Sequence, residues 1–68
     1  MENWNKVFES PMQVRAEIVK GVLEEHQIQA VVLTKKETIY QIFGNYEVLV
    51  QQKDLIMANN LVQNEITF

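Results

Sequence analysis

Ser10 and His26 are the only serine and the only histidine in the chain, and it has no cysteine, so a serine or cysteine nucleophile has one place to reside. A hydroxyl nucleophile must lie within hydrogen-bond reach of its base. On one helix, sixteen positions at 1.5 Å each hold these two residues roughly 24 Å apart, and the pair does not form. His26 instead falls at the end of a helical pattern, where an imidazole meets the negative end of the helix favourably. Glu24 and Glu25 read as a solvated helix end and Asp54 as a helix cap. No spacing of His, Asp and Glu suggests a metal cluster. Gly21 lies within a helix, where it allows close packing or is simply tolerated, and Gly44 stands alone, so no glycine-rich phosphate loop is present. The expectation is a chain without catalytic residues, metal ligands or cofactor. Recognition chemistry is left to Lys35, Lys36, Tyr40 and Phe43, two cations and two rings that would suit an anionic or aromatic small molecule if the 35–45 loop closed over it. The commoner arrangement of such residues is a solvated lysine pair at a hairpin end with both rings tucked against a sheet.

The elements that carry these residues centre on the stretch from Ser10 to Leu33. Ser10-Pro11-Met12-Gln13 reads as a helix start, with Ser at the cap, Pro at the first helical position and Gln closing a capping box. At 100° per residue Met12, Val14, Ile18, Val19, Val22 and Leu23 share a broad face, and Gln13, Glu17, Lys20 and Glu24 the opposite one. The helix runs to about Gln27, where the usual terminating glycine is missing and His26 or Gln27 must end it. A strand follows over Ile28 to Thr34, apolar on both faces. Before the helix, Trp4 to Glu9 suits a short strand. Lys35 to Asn45 is a mobile loop or a strand extension, with Gly44-Asn45 as a turn. Tyr46 to Gln51 is a third strand, paired antiparallel with the second. Asp54 caps a second helix to about Asn64, with Leu55, Ala58, Leu61 and Val62 on its apolar stripe. Ile66-Thr67-Phe68 either adds a short fourth strand at the sheet edge or frays as a terminus, and the strand is taken here. The order is βαββαβ, whose compact solution is an α+β ferredoxin-like sandwich: a four-stranded, mostly antiparallel sheet with both helices on one face.

At 68 residues the chain makes a single domain over residues 1–68, of a size that buries only about 60% of its unfolded surface. A net charge of −3 with one basic doublet, Lys35-Lys36, argues against nucleic acid as a partner. No apolar run is long enough to span a membrane and no secretory signal is evident, so a cytoplasmic protein is expected.

Three segments carry a family resemblance: Ala16 to Glu24, Ile28 to Leu33, and Phe43-Gly44 followed by Tyr46 to Val50. Together they resemble the small bacterial domains grouped as the Putative prokaryotic signal transducing protein family, over almost the whole chain. The resemblance implies a ferredoxin-like fold similar to that of the PII-type nitrogen regulators, and a regulatory or interaction role. It supplies no catalytic residue.

Strand alternation points to a contact surface. If Val7, Val48 and Val50 face the helices, Phe8 and Leu49 face away. The second strand adds apolar residues to the open side whichever way it faces, and Val31 and Leu33 are the set taken here. Phe8, Val31, Leu33 and Leu49 are thus expected to bury against a second copy as a two-fold homodimer, with an unidentified protein as a further candidate partner. The competing arrangement is a monomer whose 35–45 loop folds back over the same face.

Overall fold

The structure is a computed structural model that describes residues 3–36 and 44–66. Its central strand places two alternating valines on one face. In β3 (Gly44–Gln51), Val48 and Val50 are fully buried beneath the helices, as suits β-branched side chains on a covered pleated surface. β1 (Trp4–Ser10) pairs with one edge of β3 and β2 (Ala30–Lys36) with the other, both antiparallel, in the order β1-β3-β2. β1 and β2 therefore run parallel to each other and are joined by α1 (Gln13–Glu25), a split βαβ unit. A short 3₁₀ turn, Gln52–Asp54, leads from β3 into α2 (Leu55–Glu65).

Both helices share one core with the sheet. Ala16, Val19 and Leu23 of α1 and Ala58 of α2 cluster with Ile28, Ala30, Val48 and Val50, and Leu55, Leu61, Val62 and Ile66 pack around them. This is the expected two-layer arrangement with three strands in place of four. Ile66 leaves α2 in extended conformation and packs on the core, while Thr67 and Phe68 lie outside the described residues. Among the described residues the ferredoxin-like plan is thus matched over β1-α1-β2-β3-α2.

Four local expectations are corrected. Ser10 is the last residue of β1 and not the helix cap; its Oγ accepts from the Met12 amide at 3.0 Å, one turn before the helix, and Met12 takes the cap position. The buried line of α1 is narrower than its apolar face: Val14 and Ile18 stay 56% and 47% exposed, because only the line through Ala16, Val19 and Leu23 faces the sheet. β2 starts at Ala30, not at Ile28, since Ile28 is used in ending the helix. There Gln27 adopts a positive φ of 64°, the Gln27 amide donates to the Glu24 carbonyl at 3.0 Å and the Ile28 amide to the Leu23 carbonyl at 2.9 Å. That bond pattern is a Schellman ending, with glutamine in the position that glycine usually fills. Finally, Gly44 and Asn45 belong to β3 and pair with Lys36 and Lys35; residues 37–43, between the two strands, lie outside the described residues. Asp54 occupies the cap position of α2, as expected, without a side-chain capping bond.

Candidate interaction face

Residues that pair across antiparallel strands lie on the same face of the sheet, so the register identifies the face that carries no helix. One row across it is Lys6, Leu49 and Val31, and the next is Glu9, Glu47 and Leu33. Leu49 is buried, with 7% of its surface exposed, yet is absent from the helix-side core, and Val31 and Leu33 are half-buried beside it. Three of the four expected interface residues therefore share this face. Phe8 does not. The register slips between Lys6 and Phe8, which pairs Phe8 with Val48 and leaves Val7 as the extra residue of a bulge. Val7 and Phe8 both pack against the helix-side core, where strict alternation would have sent one of them to the opposite side.

The same bulge assembles an ionic group that alternation hides. In a regular strand residues three apart face opposite sides, but across the slip Lys6 and Glu9 share one. Lys6 Nζ lies 2.9 Å from Glu9 Oε1 and 3.7 Å from Glu47 Oε2, and Asn45 Nδ2 donates to Glu9 Oε2 at 2.6 Å. Glu9 and Glu47 sit directly opposite each other, an unfavourable pairing of like charges. The Lys6 ammonium offsets it. The hydrogen bond to Glu9, then the charge of Glu9, holds the Lys6 ammonium above its ordinary pKa. Glu47 is 7% exposed, so the face combines an apolar strip with a carboxylate enclosed beside its cation.

The remaining candidate residues are dispersed. Ser10 is buried at the start of the β1–α1 connection, and His26 is exposed at the far end of α1 with Nδ1–H donating to the Val22 carbonyl at 2.9 Å. The 13-residue α1 separates them, about 20 Å at 1.5 Å per residue. Among the described residues no His, Asp and Glu side chains gather as a metal site requires, and no helix is long and apolar enough to cross a membrane. Lys35 and Lys36 end β2, paired through their backbones to β3. Tyr40 and Phe43, the other two residues expected at a ligand, lie outside the described residues.

Residues 4–66 match the model of the family described as Putative prokaryotic signal transducing protein. No curated protein and no solved structure gives a significant match to the chain.

Proposed function

Because the chain belongs to the Putative prokaryotic signal transducing protein family, we propose that it is a non-catalytic regulatory module that works as a homo-oligomer, with the helix-free sheet face in its contact surface. The observation that carries this reading is the grouping of Val31, Leu33 and Leu49 on a face to which neither helix contributes. Val31 and Leu33 stay half-exposed there beside the covered Leu49, and apolar surface left to solvent on a sheet face is where a small domain meets a partner. A domain of this size also has a limited core of its own, which burial against a second copy extends. The dispersal of Ser10 and His26 to opposite ends of α1 supports the non-catalytic part of the reading.

Sedimentation velocity at micromolar concentration tests it, with Leu33→Lys as the comparison. Leu33 is the better probe because Leu49 is almost fully covered, so that a lysine there would disturb folding as well as contact. Self-association of the native chain, lost in Leu33→Lys with the far-ultraviolet circular dichroism unchanged, is the expected result. A native chain that stays monomeric would refute the homo-oligomer.

A further inference from the structure

We propose that the outer edge of β2 pairs antiparallel with β2 of a second copy across a two-fold axis, joining the two sheets into one of β1-β3-β2-β2-β3-β1 order. This rests on the homo-oligomer reading and takes the strand edge that borders the helix-free face, beside Val31 and Leu33, as the line of contact in place of the face itself. An open edge offers unpaired amides and carbonyls to any passing strand, and proteins ordinarily blunt it with bulges, charges or proline. β1 carries such devices: the slip between Lys6 and Phe8, and the charges of Lys6 and Glu9. β2 carries none from Ala30 to Thr34. Its sequence there is Ala-Val-Val-Leu-Thr, its register against β3 is unbroken, and among the described residues only β3 pairs with it.

Charge selects a second copy as the occupant. Antiparallel pairing about a two-fold axis brings the Lys35-Lys36 end of each β2 beside the Ala30 end of the other. That end lies under the C-terminus of α1, whose last turn holds Glu24 and Glu25 and no basic residue. These carboxylates add to the negative end of the helix dipole, an unfavourable placement within one copy. With Ala16, Val19 and Leu23 on the sheet, steps of 100° put Gln13, Glu17, Lys20 and Glu24 on one flank of α1. The right-handed β1-α1-β2 crossover turns that flank toward the outer edge of β2. The lysine-bearing end of one β2 therefore arrives beside the acidic helix end of the other, twice per dimer; by alternation with Ala30 and Val32 it is Lys36 that shares the helix side, while Lys35 shares the face of Val31 and Leu33. In the joined sheet Val31 and Leu33 of the two copies also become neighbours on the helix-free face.

Charge reversal separates this arrangement from stacking of the two open faces. Sedimentation at low salt is run on the native chain, on Lys36→Glu, on Glu24→Lys, and on the two changes combined. Each reversal is expected to weaken association about tenfold or more, and the combination to restore most of it. A native dimer that neither reversal weakens, or that the combination fails to restore, overturns edge pairing and leaves the homo-oligomer standing; a native monomer overturns both. Hydrogen exchange on the unaltered chain gives a second reading that needs no variant. Amides between Ala30 and Lys36 should gain protection as protein concentration rises while those of β1 do not, and concentration-independent exchange along β2 would count against the edge.

Discussion

The Ile28 amide donates to the Leu23 carbonyl across the end of α1 at 2.9 Å, and the side chains of the same two residues lie together in the core. Backbone and side chains thus close the helix at one point, as a Schellman ending with its hydrophobic contact does. The cost falls on Gln27, which holds a φ of 64°.

Gln27→Gly relieves that cost. A left-handed conformation is unfavourable by about 1–2 kcal/mol for a residue with a Cβ, and glycine returns part of this as greater freedom in the unfolded chain. The expected net gain is about 1 kcal/mol, seen as a higher midpoint in urea denaturation. An unchanged or lower midpoint would show that Gln27 bears no strain.

Gly21→Ala should stabilise as well. Gly21 lies inside α1, is exposed, and a Cβ built there meets nothing within 4 Å, so close packing does not explain it. Alanine is better than glycine in a helix interior by roughly 0.5–1 kcal/mol. Thermal melts compare the two chains directly, and a lower melting temperature for the alanine variant would contradict the open surroundings of Gly21.

Leu23→Ala and Ile18→Ala separate the buried line of α1 from its exposed one. Leu23 is fully buried in the core, and its truncation should cost ~3 kcal/mol, a large share of the stability of so small a domain. Ile18 is 47% exposed and its truncation should cost under ~1 kcal/mol. Urea midpoints rank the two, and equal losses would mean that α1 packs through a different face.

Lys6 links stability to alkaline pH. Its pKa is raised above 10.5 in the folded chain, chiefly by the hydrogen bond to Glu9, so the folded state holds this proton more tightly than the unfolded state. The contribution is complete below about 10.5 and is lost as pH rises through the higher folded value. The stability difference between the native chain and Lys6→Met should therefore shrink as pH rises above that range. Denaturation midpoints of both chains at neutral and strongly alkaline pH give the comparison; a constant difference would place Lys6 outside the ionic group.

The sequence alone determined the kinds and order of the elements from β1 to α2, though not a fourth strand, because each depends on neighbours close in the chain. The spacing of Ala16, Val19 and Leu23 makes a helix, the alternation of Tyr46, Val48 and Val50 makes a strand with one covered face, and Asp54 marks where α2 begins. The separation of Ser10 from His26 by the length of α1, and the family resemblance, were legible in the same way. Only the tertiary structure decided what depends on residues far apart in sequence. Whether Phe8 faces the helices or the open side turns on a slip of β1 against β3, and nothing in Trp4 to Ser10 encodes that slip without its partner strand. The Lys6, Glu9 and Glu47 group follows from the same slip, as does its invisibility to period-two reading. How much of the apolar face of α1 is covered depends likewise on what the helix rests against, so Leu23 is buried while Val14 and Ile18, equally apolar, remain in water.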